Sequence, residues 1–362
     1  MNKTKQIKGI AGLILSAAML LSVAGCSAGS TETTAANTSA AISSETSAAV
    51  TEVTAETTPV ETTAPAEKTP IRVAGLKGPT GIGMVGLMAA SEAGTAANQY
   101  TFTMTGTPDD IVAMLSSGTV DIAALPTNLA AVLYQKTNKS IQIMAVNTLG
   151  VLYVLENGDT VHSMADLSGK DLYATGQASV PEYVLNDLLA NAGVANSVSV
   201  TYKTEHSELA TLAASGKADL VMLPEPFVTT VLKKNPDFRI ALNLTDEWKK
   251  AFPDSELAMG CIVVTTEFAN AHPEAVEAFL KEYKASADSV VADPATASGL
   301  VVKYGIMADA KLAEAAIPNC NIVMIKGEDM KNILTPFYQA LFDANPKSVG
   351  GTLPDDAFYF VK

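Results

Sequence analysis

A short pattern occurs twice in this chain, and it limits the folds available more than any other feature. Ser117-Gly118-Thr119-Val120-Asp121-Ile122-Ala123-Ala124-Leu125-Pro126 returns as Ser215-Gly216-Lys217-Ala218-Asp219-Leu220-Val221-Met222-Leu223-Pro224. In both copies a glycine stops a helix-like run (109–116 and 207–214), an aspartate opens an apolar strand, and Leu-Pro closes it. Earlier in each half, a strand runs into a turn and opens a helix, over 71–81 and 171–181. Strand and helix alternating in this way predict a parallel sheet with right-handed crossovers. Two such units predict two lobes with a cleft between them. Ligands of open α/β sheets bind beyond the carboxyl ends of the strands, where the two Leu-Pro turns fall.

Apolar runs predict further strands over 71–74, 100–105, 120–125, 141–146 and 151–155. The first crossing between lobes is placed after them, near residue 167. The second lobe then holds strands over 171–174, 198–202, 220–223 and 238–242. Its helix over 181–192 carries the one-sided stripe Val184, Leu185, Leu188, Leu189 and Ala192. The chain returns through a strand over 259–264 and adds helices over 273–291, 296–304, 308–316 and 328–342. Lobe two is therefore expected over 168–257.

The N-terminus reads differently. Lys3, Lys5 and Lys8 precede an apolar run over 10–23 that is short for a membrane span. It ends in Val23-Ala24-Gly25-Cys26, which resembles the lipobox of bacterial lipoproteins. The resemblance implies a signal peptide over 1–25 and lipidation of Cys26, hence an extracytoplasmic protein anchored to the cell membrane. An ordinary secretory signal with a chance cysteine is the alternative. Residues 26–69 are the lipidation site and a tether of Ser, Thr, Ala and Glu, with too little apolar surface to offset ordering. As a coil it spans about 35 Å.

The net charge is −14, and cleavage before Cys26 removes three lysines more. An acidic domain argues against nucleic acid, which needs a basic face. Cys261 and Cys320 lie in apolar settings, where free thiols are commoner than a bridge, though an extracytoplasmic disulfide stays open. His162, His206 and His272 are scattered, and no Cys or His pair has metal spacing.

Taken in order, Gly78-Pro79-Thr80-Gly81, Ser117-Gly118 through Asp121, Asp166-Leu167-Ser168-Gly169-Lys170 and Leu223-Pro224-Glu225-Pro226 resemble the type II periplasmic binding proteins. The similarity is to the branch with sulfonate, taurine, nitrate and thiamine-precursor binders. It implies two α/β lobes, each a mostly parallel sheet flanked by helices, closing on a small molecule and passing it to an ABC permease. It also implies that the C-terminal part packs back, so that lobe one comprises 70–167 and 258–362. It implies no cofactor, and a monomer is the default. Some relatives are enzymes that make a thiamine pyrimidine, so catalysis on the same fold is an alternative, as is a sensory lipoprotein. Against catalysis, no histidine falls in a predicted cleft turn and no Ser-His-Asp or Cys-His arrangement is visible.

The candidate ligand residues sit in the cleft turns. In lobe one they are Gly78, Pro79, Thr80, Gly81 and Ile82, with Thr107 after the second strand and Pro126, Thr127 and Asn128 after the third. Tyr153 follows. In lobe two they are Gln177, Ala178, Ser179, Glu225 and Phe227. Backbone amides at a helix start can hold an acceptor, although Thr80 and Ser179 can equally cap their own helices. Asn128 can donate and accept. Phe227 and Tyr153 can stack on a ring or fill the core. Glu225 can accept from an amine or ring N–H, or serve its own helix start. Gly81-Ile82-Gly83-Met84-Val85-Gly86 matches the dinucleotide fingerprint, but the glycines begin inside a helix and no carboxylate ends the second strand. Close helix packing is the expected role of Gly83 and Gly86. Only two arginines occur, Arg72 and Arg239, both near strand starts. A guanidinium clamp on an anion is therefore not expected, and the ligand is expected to be neutral or weakly cationic, with heteroaromatic rings among the candidates.

Overall fold

The computed structural model describes residues 68–361. The signal peptide, Cys26 and most of the expected tether lie outside the described residues. Among those described, no helix is long and apolar enough to cross a membrane.

The first part of the chain alternates strand and helix: β1 (Pro70–Leu76), α1 (Pro79–Ile82), α2 (Val85–Glu92), β2 (Gln99–Thr105), α3 (Pro108–Ser116), β3 (Ile122–Pro126), α4 (Thr127–Lys136) and β4 (Ile141–Thr148). The middle holds β5 (Leu152–Asn157), β6 (Asp171–Thr175), α5 (Val180–Asn191), β7 (Ser199–Lys203), α6 (His206–Ala214), β8 (Leu220–Pro224), α7 (Phe227–Lys234), β9 (Phe238–Asn243) and α8 (Leu244–Ala251). The last part adds β10 (Gly260–Thr265), α9 (Thr266–Ala271), α10 (Pro273–Ala292), α11 (Pro294–Lys303), α12 (Ala310–Ala316), β11 (Ile322–Lys326) and α13 (Gly327–Ala344).

These strands form two mixed sheets, ordered β11-β4-β10-β3-β1-β2 and β7-β6-β8-β5-β9. The repeat is visible in them. In each sheet a parallel trio (β2-β1-β3 and β7-β6-β8) is followed by an antiparallel strand that has crossed from the other lobe, β10 in the first and β5 in the second. Strand β5 was expected in lobe one. It pairs instead with β8 and β9, Leu152 opposite Pro224 and Tyr153 opposite Asn243. The first crossing is therefore the short stretch 149–151, not a segment near 167.

The repeated residues do matching work. Gly118 and Gly216 both end a helix with φ of +67°, a left-handed conformation that favours glycine. Asp121 and Asp219 both stand at a strand entrance, with different partners. Asp121 takes Arg72 in a two-pronged pair, Nη2 to Oδ1 at 2.5 Å and Nε to Oδ2 at 3.0 Å, while Asp219 accepts from Asn157 Nδ2 at 3.0 Å.

Both faces of each sheet are covered. One cluster lies under the outer face of the first sheet, around Ile71, Val73, Phe279 and Tyr283, and a smaller one lies under the second, around Leu155, Leu209 and Val231. The largest is shared by both lobes, joining Ile111, Ile143 and Phe337 to Leu152, Val184 and Trp248. Trp248 is fully buried where α8 meets α13. Its ring centroid is 5.6 Å from Phe337 and 4.3 Å from Phe252, and Nε1 donates to Ser255 Oγ at 3.1 Å. Cys261 and Cys320 are both buried free thiols.

Several buried side-chain atoms have no hydrogen-bond partner among the described residues, and one of them belongs to a carboxylate. Asp187 on α5 is buried, and its Oδ2 is the unpaired atom. Burial pushes its carboxyl up to about 7. A native value above the unfolded one favours the fold fully below about pH 4 and loses that contribution as pH rises through about 7. Asp187→Asn is expected to raise stability by on the order of 2 kcal/mol at about pH 8 and to change it little at about pH 4. Urea unfolding at the two pH values checks this, and equal effects at both would refute it.

Candidate functional site

A cavity of about 100 Å³ lies between the lobes, at the carboxyl ends of the parallel strands. Lobe one lines it with Leu76, Lys77, Gly78, Pro79, Thr80, Gly106, Pro108, Pro126 and Thr148. The crossings add Val151, Met259 and Gly260, and lobe two adds residues from Gly176 to Phe227. The lobes meet at one rim: a Cβ placed on Gly106 would stand 2.9 Å from Glu205 Oε2.

Five prolines stand in the wall. Pro79, Pro108 and Pro181 open α1, α3 and α5, where a missing N–H is no loss, while Pro126 and Pro224 end β3 and β8. Helices α1, α3, α5, α6 and α7 thus all begin at the cavity. Their positive ends would draw an anion, but four of them carry a carboxylate of their own. Asp109 and Asp110 lie in the first turn of α3 and Glu208 in that of α6. Glu182 of α5 accepts from the Ala178 amide. Glu225, beside α7, accepts from the Thr229 amide at 3.0 Å and the Thr229 hydroxyl at 2.9 Å.

Seven of the expected residues line the cavity: Gly78, Pro79, Thr80, Pro126, Ser179, Glu225 and Phe227. Thr80 is buried and its Oγ1 has no partner among the described residues. Burial pushes the Glu225 carboxyl above its ordinary value, opposed by the two Thr229 bonds.

The other eight point elsewhere, for local reasons. Helix α1 lasts one turn and α2 starts afresh at Val85, so Gly81 and Ile82 turn inward. Gly81 packs beneath the Leu76 carbonyl, and Ile82 is fully buried in the outer core of lobe one. Helix α4 carries Thr127 and Asn128 back into lobe one. The Thr127 hydroxyl donates to Ala258 O at 2.6 Å, tying down the second crossing, and Asn128 Nδ2 donates to Ser348 O at 3.3 Å. Thr107 donates to Asp110 Oδ2 at 2.8 Å. Tyr153 packs on the core of lobe two, its hydroxyl pushed up by burial and by the Glu225 charge. Gln177 and Ala178 are exposed outside the wall. Gly83 and Gly86 face Tyr283 and Ser286 of α10 at contact distance, and Ser286 Oγ donates to Gly83 O at 2.7 Å. The G-x-G-x-x-G spacing is a helix-packing contact.

His206 is one of the lining residues outside the expected set, and the one with an ionisable ring. It opens α6 rather than following a Gly or Pro turn, so the expectation of a cleft without histidine is corrected. Its Nδ1 lies 2.7 Å from Thr175 Oγ1, and its ring centroid is 5.3 Å from that of Phe227. Burial holds its imidazole down at about 4, so the ring is neutral at pH 7. The cation in the wall is Lys77, an exposed side chain on the rim with no ion pair among the described residues. Neither arginine reaches the cavity: Arg239 pairs with buried Glu156 at 2.7 Å and donates to Gly158 O and Val161 O.

The sequence profile of a family described as NMT1/THI5 like matches residues 101–297, more than half of the chain. No curated protein sequence matches. An ABC transporter from Parabacteroides distasonis is 26% identical, with a TM-score of 0.67 over 82% of this chain and 100% of its own. Two sulfonate binders share the fold at 15% identity and TM-scores of 0.62. The alkanesulfonate-binding protein SsuA from Xanthomonas axonopodis pv. citri, bound to MOPS, covers 80% of this chain and 96% of its own. The periplasmic aliphatic sulphonate binding protein SsuA from Escherichia coli covers 79% and 91%.

Proposed function

The chain belongs to the NMT1/THI5-like family, and on that premise we propose that it is the solute-binding component of an ABC import system. It encloses a small molecule by hinge closure and presents it to a membrane permease. The observation that carries this is the cavity itself, which takes its walls from both lobes and from both crossings. A ligand touching both lobes favours the closed form by its differential affinity. Lipidation at Cys26 would hold the domain at the outer face of the cell membrane, with residues 27–69 as tether.

The solute is uncharged or weakly cationic and heteroaromatic. A cleft cavity near 100 Å³, open on one side, suits a single ring; for scale, an engineered apolar cavity of about 150 Å³ takes up benzene. Both arginines are committed elsewhere, and the helix starts carry carboxylates that offset their pull on an anion. Glu225 has lone pairs left after its two bonds to Thr229, and supplies the acceptor for a ring N–H or amine. Sulfonate binding by the two SsuA proteins is thus not carried over. Catalysis on the bound molecule is disfavoured, because Thr175, the one hydroxyl bonded to His206, is itself fully buried.

Native mass spectrometry of the purified protein tests the reading, followed by calorimetry with uracil, cytosine, nicotinamide and propanesulfonate. The expected results are one chemically unchanged solute per chain, and a ring that binds about tenfold more weakly to Glu225→Ala. Tight binding of propanesulfonate with no change in Glu225→Ala would overturn the ligand class. A chemically altered molecule would overturn the transport role.

A further inference from the structure

His206 is the side chain in the cavity wall whose hydrogen-bonding capacity is half used. Its Nδ1 is engaged by Thr175, a buried residue at the end of β6, and Phe227 backs the ring. Its Nε2 makes no hydrogen bond among the described residues, although the ring lines the cavity. A neutral imidazole anchored at one nitrogen presents the other as a single directional group. The Thr175 hydroxyl can rotate to serve either tautomer, so Nε2 can accept from a ring N–H or donate to a carbonyl or ring nitrogen.

We propose that His206 is the specificity-determining residue of the second lobe, reading the hydrogen-bonding edge of an uncharged ring through Nε2. This rests on the solute-binding reading above. Thr80 of lobe one lines the same cavity, so one ring can contact both lobes.

The same geometry ties closure to the state of the ring. With the lobes apart and the ring wetted, imidazole titrates near its ordinary value of about 6.5. Enclosed, burial holds it at about 4. Closing therefore expels a proton at any pH between the two, and affinity falls as pH falls through that window. The drop is about tenfold from about pH 7.5 to about pH 5.5.

Other charges bear on this ring. On its own helix are Glu205 and Glu208, the latter 3.4 Å from Lys203 at the end of β7. Glu225 and Lys77 line the same cavity. Lys233 and Lys234 of α7, Asp171 of β6 and Asp219 before β8 lie at the opposite ends of the elements packed on α6. Glu225 is the rival source of a pH effect, and its variant separates the two.

Calorimetry of uracil, cytosine and nicotinamide with the full chain, at both pH values, is the test. It uses wild type, His206→Asn, Thr175→Val and Glu225→Gln, with thermal melts to confirm folding. The expected result is that His206→Asn binds the ring about tenfold more weakly at pH 7.5 and loses most of the pH dependence. Thr175→Val, which frees Nδ1 and keeps the side-chain volume, is expected to weaken binding in the same direction, and it carries the test should His206→Asn not fold. Equal affinity of wild type and His206→Asn overturns the inference and leaves the solute-binding reading standing. So does an acid loss that persists in His206→Asn and disappears in Glu225→Gln. If no ring binds wild type, the ligand class fails and this role for His206 fails with it.

Discussion

Trp248→Ala is expected to cost about 4 kcal/mol and to lower the melting temperature by about 8 °C. The loss combines buried ring area, two aromatic contacts and the partner of Ser255 Oγ. Its position makes the effect more than local. Trp248 belongs to α8 of the second lobe and Phe337 to α13 of the first, within a core that both lobes share. The variant is therefore expected to melt in one transition at the lower temperature. A second, independent transition would show that the two lobes unfold separately. Since Trp248 is the only tryptophan in the chain, its emission in the wild type also reports on this junction without labelling.

Gly81→Ala is expected to cost about 3 kcal/mol, whereas Gly78→Ala, three residues earlier in the same turn, changes stability by less than about 0.5 kcal/mol. A methyl on Gly81 would stand 2.3 Å from the Leu76 carbonyl oxygen and 2.4 Å from Met104 Cε. The methionine end can swing aside, but the carbonyl belongs to β1 and is held in place. A methyl on Gly78 meets nothing within 4 Å, and its φ of 176° is ordinary extended backbone. Gly81→Ala is also expected to weaken solute binding, because shifting α1 displaces Gly78, Pro79 and Thr80 in the cavity wall. Parallel urea titrations of the two variants check the contrast, and comparable losses would refute it.

The repeat made the architecture legible, since Gly118 with Gly216 and Asp121 with Asp219 mark equivalent corners of two equivalent sheets. The strand after the first repeat was misplaced for a physical reason. Sequence shows that Val151 to Leu155 is a strand, but the hydrogen-bonding partner of a strand is a long-range choice that its own residues do not encode. The short amphipathic α8, with Leu244 and Trp248 as its buried residues, carries too few apolar positions to stand out, and β11, though Ile322 to Ile325 are all apolar, is a five-residue edge strand whose pairing with β4 is long-range. At the site, the backbone turns were readable and the side-chain directions were not. Asn128 and Thr127 follow a cleft turn yet rotate into lobe one once α4 begins. His206 begins a helix with no Gly or Pro to flag it, and only its place beside Thr175 and Phe227 gives it meaning.

The threading of β10 between β3 and β4 sets the order in which this chain can assemble during synthesis. Strand β4 is buried along nearly its whole length, and its two sheet partners, β10 and β11, both come later in the chain than the entire second lobe. The second sheet, by contrast, is continuous from β5 to β9. A nascent chain can complete the second sheet while β4, an apolar segment with open edges, still waits for partners not yet made. Until Gly260–Thr265 arrives, that segment is the one most exposed to wrong pairing. The polypeptide thus finishes its first lobe last, and stays incompletely folded until most of its length has been made.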